Sequence, residues 1–419
     1  MSPIVIMGAG HAGITLVRQI RMKDKYIPII MISQDAVYHY YKPSLSKALS
    51  LGKSPDELIM SSMAQLTEDL NVKIFDHTQV TGVFPNKQKI IIQRKDESPE
   101  ILPYQSLVFA IGAKAINLAF KGNSQDSIYS VNNLTDYRNF RQKIHNKKRV
   151  LIVGAGFVGC EFASDLSLAG IHVDVIDRGL WPLQKSLPKP LGNAIEQSMA
   201  RGNVNWHFNN QVLSVYKKII GPDKSALEVT LKNGEVLETD AILSAVGIKP
   251  CTALAEKCGI HTDKGIVVNN FAQTNLANIY ALGDCVEYQN TLLPFIQPAT
   301  NMAKSLANTL LAKPCILKIT SLAVPVKIPT CPTIICPPVC QDGNWHVTGN
   351  GMDLQARFIN TQGETLGFAL TGKATSHKHA LIQECLAPFS EHNNGLMNEG
   401  HNSTQTSYVL SPIEELNEK

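Results

Sequence analysis

The run Gly8-Ala9-Gly10-His11-Ala12-Gly13 follows the apolar segment Pro3-Ile4-Val5-Ile6-Met7. The same arrangement returns far downstream as Gly154-Ala155-Gly156-Phe157-Val158-Gly159, after Arg149-Val150-Leu151-Ile152-Val153. One G-x-G-x-x-G is weak evidence of anything. Two of them, each set between a strand and a helix, point to two dinucleotides in one chain. The first glycine allows the tight turn, the second lets backbone approach a pyrophosphate, and the third lets helix and strand pack closely. The helix after each run offers unpaired N–H groups and the positive end of its dipole to the phosphates. A protein holding two dinucleotides is expected to pass electrons between them.

The surroundings of the two runs repeat as well. Residues 1–32 read as strand 3–7, a helix over 11–23 and strand 27–32. A polar helix is expected over 55–69, then a meander of strands near 72–75, 79–84 and 89–94, then the buried strand 107–111 ending at Gly112. From 149 the order returns: strand, glycine run, helix, strand 172–176, a meander near 204–208, 211–217 and 226–231, and the buried strand 243–246 ending at Gly247. This is a divergent internal duplication. Strand 279–282 then meets Gly283-Asp284, and a helix is expected over 298–312. The proline-rich segment 321–388, with alternating stretches at 345–348, 354–359 and 365–370, reads as a small α+β domain. The polar remainder is expected to be disordered. The fold class is therefore α/β: two Rossmann-like, doubly wound dinucleotide-binding domains plus a small α+β C-terminal domain. The expected boundaries are 1–118 with 243–318, 119–242, 319–388, and the tail 389–419.

The chain of 419 residues has room for two or three domains. Its net charge of +4 is too mild to indicate nucleic acid and is compatible with a small acidic protein partner. No apolar run approaches the roughly 20 residues of a membrane span, and the N-terminus lacks the layout of a signal peptide. The expectation is a cytoplasmic protein that uses no membrane. None of the nine cysteines precedes Cys160, and no C-x-x-C occurs. A redox cysteine or cysteine pair early in the first unit is therefore ruled out. Cys160, Cys251, Cys258, Cys285, Cys315 and Cys385 read as single thiols of a reduced compartment.

Five stretches carry a family resemblance: Tyr41-Lys-Pro-Ser-Leu-Ser-Lys47, Gly154-Ala-Gly-Phe-Val-Gly-Cys-Glu-Phe-Ala163, Ser244-Ala-Val-Gly-Ile-Lys-Pro250, Ile279-Tyr-Ala-Leu-Gly-Asp-Cys285 and Pro325-Val-Lys-Ile-Pro-Thr-Cys-Pro332. Over about 1–388 the chain resembles the pyridine-nucleotide-dependent flavoprotein reductases, and within them the NADH:rubredoxin reductases. The resemblance implies FAD on Gly8, Gly10 and Gly13, and NADH on Gly154, Gly156 and Gly159. It implies ribityl contacts for Gly283-Asp284, and a place beside the isoalloxazine for Lys42, Pro43 and, from the C-terminal domain, Lys327. Glu161 matches a family glutamate near the nicotinamide. Lys42, Glu161 and Lys327 are thus the candidate catalytic residues. His11, Ala12, Ser33, Val80, Gly112, Gly247 and Pro298 complete the implied cofactor contacts. The implied partner is rubredoxin or a similar small acidic electron-transfer protein, with Lys42, Lys47, Lys53 and Lys327 as a docking rim.

Two positions have a direct physical reading. Asp177 ends the strand after the second glycine run, close to the roughly 20-residue interval of a ribose-binding acid. A carboxylate there favours NADH over NADPH, although Arg178 beside it is able to receive a 2′-phosphate. In the first unit the same slot holds Ser33 or Gln34, with Asp35 next, so the FAD ribose partner stays open. Cys331, Cys336 and Cys340 mimic a redox or metal cluster, with His346 as a conceivable fourth ligand, but their spacing suits packing better. His377 and His379 read as surface residues. Two alternatives remain: a reductase of a ferredoxin or flavorubredoxin, and a flavin- and NAD-binding redox-responsive module.

Overall fold

The computed structural model describes residues 2–221, 224–319, 323–338 and 342–385. Its centre is a pair of parallel five-stranded sheets built to one plan. The first runs Ile279–Ala281, Ser106–Phe109, Ile4–Met7, Ile29–Ile32, Lys73–Phe75. The second runs Ile128–Tyr129, Ala241–Ser244, Arg149–Val153, His172–Ile176, Val204–His207. In each, the strand leading into the glycine run lies in the middle, and the chain order reverses there. The carboxyl end of such a switch strand is where open α/β sheets bind ligands. Ile4, Val5 and Ile6 are completely buried, as are Val150, Leu151 and Ile152. Burial on both faces explains why these strands read as unbroken apolar runs.

The expected strand at 72–75 and the one at 204–208 are not parts of meanders. Ile74 pairs with Met31, and Trp206 with Val175, so each is the edge of a parallel sheet. The antiparallel layers begin later, as Thr78–Phe84, Lys89–Arg94 and Glu100–Pro103 in the first unit. Their counterparts in the second are Val212–Gly221, Lys224–Leu231 and Val236–Thr239. The expected helix over 55–69 forms only over Met63–Asp69. Ser62 and Gln65 make a reciprocal capping box that fixes its start, while Ile59–Ser62 pairs with Tyr38–Tyr40 instead.

The chain crosses between the units twice, and the crossings pair with each other. Ala113–Ala115 lies antiparallel to Ile248–Pro250, and the carbonyls of Gly112 and Gly247 accept from Cys251 and Ile116 at 3.0 Å each. Both glycines have positive φ, 65° and 121°. Ala241–Ser244 is bonded into the second sheet, so that sheet extends beyond the junction read at 242.

The C-terminal domain is an antiparallel sheet ordered Val324–Val326, Thr333–Cys336, Thr365–Thr371, Asp353–Ile359, Asn344–Asn350, followed by the helix Lys378–Glu384. It shares a core with the second unit: Leu191, Ile195 and Met199 of helix Lys189–Ala200 cluster with Ile335, Ala356 and Ala369. Cys340 and the tail 389–419 lie outside the described residues. Among the described residues no helix is long and apolar enough to cross a membrane.

Ile195 is completely buried at that shared core. Replacing it with alanine is expected to cost about 2–5 kcal/mol in denaturant unfolding. Hydrogen exchange should speed up in both the 189–200 helix and the C-terminal sheet, because one core serves both.

Candidate active site

Helix His11–Arg21 begins at Gly10, and helix Phe157–Leu168 begins at Gly156; neither has a side-chain cap. Their first N–H groups therefore face outward without protein partners from capping. The glycines divide into two kinds. A Cβ at Gly13 would overlap the carbonyl oxygen of Gly8, and one at Gly159 that of Gly154, so these two are packing glycines. A Cβ at Gly10 or Gly156 would meet nothing within 4 Å. That open space before an uncapped helix fits a pyrophosphate in each unit.

Around the first turn, His11 Nε2 lies 3.2 Å from Thr300 Oγ1 of helix Ile296–Leu310, joining two helix starts. Pro298 and Ala299 are buried beside them. Burial pushes the His11 imidazole below its usual value; nearby Asp284 opposes this, while Arg18 and Lys42 reinforce it. Gly283, at φ 82°, packs against Ala12, where a Cβ would stand 2.8 Å from the alanine methyl. This close approach sets Asp284 next to the turn. Ser33 ends its strand with its N–H on Phe75 and its carbonyl on Thr78, and its hydroxyl accepts from the N–H of Asp35 at 3.3 Å. Val80 is buried on the strand that begins at Thr78.

The segment Lys42–Lys47 joins two polar clusters. At one end, Lys42 Nζ donates to Asn132 Oδ1 at 2.9 Å and stands 3.7 Å from Asp284. Asn132 in turn donates to the carbonyl of Ala113 at 2.7 Å, on the crossing ribbon. At the other end, the Ser46 hydroxyl donates to Glu161 Oε2 at 2.7 Å. Glu161 is buried. It also accepts the Lys327 backbone N–H at 3.1 Å and forms an ion pair with the Lys327 ammonium. One turn along the same helix, Asp165 accepts the N–H groups of Leu49 and Ser50 at 3.2 and 2.8 Å. Burial holds its carboxyl above the usual range against those bonds. Glu161 and Asp165 are four apart, so one helix face grips the whole 42–50 segment.

Asp177 stands beside the second glycine turn and accepts from the N–H groups of Ala155 and Gly179 at 2.6 and 2.5 Å. Phe157 meets Phe295 edge to face, 6.1 Å between ring centres, linking the two helix starts across the units. The structure thus gathers Gly8, Gly10, His11, Ala12, Gly13, Lys42, Pro43, Gly283, Asp284 and Pro298 in one region. It couples them to Glu161 and Lys327, and sets Gly154, Gly156, Gly159 and Asp177 at the facing turn. Gly112 and Gly247 belong to the crossing ribbon. Ser46, Asn132 and Asp165 are part of the network too; nothing but the family stretch 41–47 pointed toward Ser46, and isolated polar residues such as Asn132 carry no sequence signal. Cys331 and Cys336 are buried in the C-terminal domain and His346 is exposed. Among the described residues no group of three or more His, Cys, Asp or Glu side chains is able to hold a metal. His377 is exposed and bonded to Gln355 at 2.9 Å.

Two glycine cradles facing one charged seam define an oxidoreductase built around two dinucleotides. Residues 2–303 match the model of the pyridine nucleotide-disulphide oxidoreductases, and residues 317–385 match that of a rubredoxin binding C-terminal domain. The chain belongs to the pyridine nucleotide-disulphide oxidoreductase family. It is 37% identical to a rubredoxin-NAD(+) reductase of Acinetobacter baylyi, over 93% of this chain and 98% of that one. A rubredoxin-NAD(+) reductase of Alcanivorax borkumensis is 35% identical, over 92% and 98%. The fold is shared with the covalent putidaredoxin reductase–putidaredoxin complex, at a TM-score of 0.82 and 21% identity, over 94% and 95%.

The two kinds of glycine separate experimentally. Gly156→Ala is expected to fold, at a cost of about 1 kcal/mol for the lost cap preference, and to slow flavin reduction by NADH at least about tenfold, a factor worth 1.4 kcal/mol. Gly159→Ala should fail in thermal unfolding before it can be assayed. Equal behaviour of the two variants would overturn the distinction.

Proposed function

We propose that the protein is an FAD-dependent NADH:rubredoxin reductase, working in the cytoplasm. Family membership and the rubredoxin-binding match at residues 317–385 support this reading. The observation that carries it is the seam itself: Lys327, from the rubredoxin-binding domain, ends on Glu161 beside the flavin-side loop. When bound, FAD takes a hydride and releases electrons singly, which suits a two-electron donor and a one-electron acceptor.

The protein's share is binding and placement. Gly10 and the start of helix His11–Arg21 would hold the FAD pyrophosphate, with Gly8 and Gly13 packing the turn closely enough to form the cradle. Asp284 accepts from the ribityl hydroxyls, and Lys42, held by Asn132 and Asp284, stabilises negative charge on the ring. Gly156 and the start of helix Phe157–Leu168 would hold the NADH pyrophosphate, with Gly154 and Gly159 packing the turn that shapes its cradle. The Asp177 carboxylate, fixed by Ala155 and Gly179, takes the ribose hydroxyls and repels a 2′-phosphate. Glu161 and Lys327, paired with each other beside the 42–50 loop, would line the site where nicotinamide and flavin are brought together. No cysteine precedes Cys160, so the segment 1–118, which carries the Lys42–Lys47 loop, has no thiol relay and electrons leave directly to the acceptor. The eight described cysteines are thiols, in keeping with a reducing compartment.

Anaerobic addition of NADH, followed by oxidised rubredoxin, tests this. Rapid flavin bleaching and then rapid rubredoxin reduction are expected. Bleaching without rubredoxin reduction would overturn the acceptor, and bound flavin untouched by NADH would overturn the enzyme. Lys47 and Lys53 are exposed on the flavin-side loop. Reversing both to glutamate should slow the second-order reaction with rubredoxin about tenfold at low salt, and much less once ionic strength shortens the Debye length to about 8 Å. An unchanged salt dependence would exclude these lysines from docking.

A further inference from the structure

The edge strand of the second sheet carries a charged cluster that the reaction does not use. His207 Nε2 lies 3.1 Å from Asp174 Oδ1 on the neighbouring strand, and Nδ1 lies 3.3 Å from Glu235 Oε2 on the turn before strand Val236–Thr239. Asn205 donates to Asp174 Oδ1 at 3.2 Å, and His172 Nε2 stands 4.0 Å from Asp174 Oδ2. Asp174 is buried, His207 nearly so, and Glu235 half-exposed. A carboxylate only accepts. Two ionised carboxylates facing the two ring nitrogens each accept from an N–H, and this arrangement favours the imidazolium form.

The residues just after His207 give this charge a target. The His207 carbonyl accepts the Asp177 N–H at 3.2 Å, Asn210 N–H donates to the Asp177 carbonyl at 3.0 Å, and Asn209 N–H donates to the Gly179 carbonyl at 2.8 Å. The turn that presents the Asp177 carboxylate is thus braced from outside by residues 207–210, whose first member, His207, is paired with Ile176 in the sheet and clamped through its ring by Asp174 and Glu235.

We propose that His207 is a positioning residue for NADH: its imidazolium, clamped between Asp174 and Glu235, braces the Asp177 turn, and nucleotide affinity falls when the ring loses its proton. The proposal rests on the reading that Asp177 holds the ribose of NADH. The hydrogen bond to Asp174 raises the His207 proton affinity above the ordinary imidazole value; burial opposes it and Glu235 adds to it. The unfolded value is 6.5. The brace is therefore complete below about pH 6.5 and is lost as pH rises through the higher folded value.

The test is calorimetric binding of ADP-ribose, the nucleotide without its redox-active nicotinamide, to the FAD-loaded protein from about pH 6 to 9. The wild type should weaken about fivefold across that range, the low end of coupling between linked sites. His207→Gln should bind at the weaker level throughout, with a flat profile. Glu235→Gln, at the exposed side of the cluster, should move the wild-type profile to lower pH, and it keeps the test decisive if His207→Gln does not fold. A merely structural histidine would lower stability without flattening the profile. If His207→Gln keeps the wild-type profile, or Glu235→Gln leaves its midpoint in place, the proposal is wrong. Asp177→Asn separates the two levels. If it weakens binding while the histidine and glutamate variants behave as wild type, only the histidine link falls. If it leaves binding unchanged, the nucleotide reading falls and this inference with it.

Discussion

The buried carboxylate of Glu161 is the interaction on which the arrangement of the three units turns. A charge withdrawn from water is tolerable only with partners, and stripping a partner from such a group costs on the order of 3–5 kcal/mol. Every partner of Glu161 comes from a different unit from its own: the hydroxyl of Ser46 from the first, the ammonium and backbone N–H of Lys327 from the C-terminal domain. Any displacement of one unit relative to the others uncovers part of that charge. The seam is therefore both electrostatically costly to open and geometrically specific. Asp165 extends the same grip one turn further, to the backbone of Leu49 and Ser50.

The seam is held together without a cysteine. The positions that matter are supplied by charge and by backbone instead. Lys42 is steadied by an amide that is itself tied to the crossing ribbon, and Lys327 is steadied by a carboxylate from the nucleotide-binding helix. Neither lysine swings as a solvated surface charge. Each is tied to the 42–50 segment, Lys42 as part of it and Lys327 through Glu161, which also holds Ser46.

How much of this the sequence disclosed depended on the range of the forces involved. The glycine runs and the apolar strands beside them are local: a turn that needs φ 107° at Gly154 or a strand buried on both faces announces itself within a few residues. The duplication, and the order of elements in each half, followed from them. Strands 73–75 and 204–207 were read into the wrong layer because nothing in a short apolar run records whether its neighbour is parallel or antiparallel; the pairing of Ile74 with Met31 is a property of the sheet. The helix expected from residue 55 gave way to a strand because Tyr38–Tyr40 offered Ile59–Ser62 a partner. In the site, Lys42, Glu161, Asp177, Asp284 and Lys327 lay in recognisable stretches, and the structure gives each a defined polar surrounding. Ser46, Asn132 and His207 meet Glu161, Lys42 and Glu235, which lie 115, 90 and 28 positions away, and such distances leave no pattern along the chain.

The pairing of Ala113–Ala115 with Ile248–Pro250 has a further consequence. Entry and exit of the second unit lie side by side, zipped into one ribbon, so everything between them is a cassette inserted into an otherwise continuous fold. Exchanging such a cassette for one with a different nucleotide preference asks only that the ribbon close again, since the first sheet is completed by residues on either side of the insertion. The Lys189–Ala200 helix, however, contributes Leu191, Ile195 and Met199 to the core under the C-terminal sheet. The electron-donor module and the partner-docking module are therefore inherited together, and a transplant that honours the ribbon but not that helix would leave the docking module without a foundation.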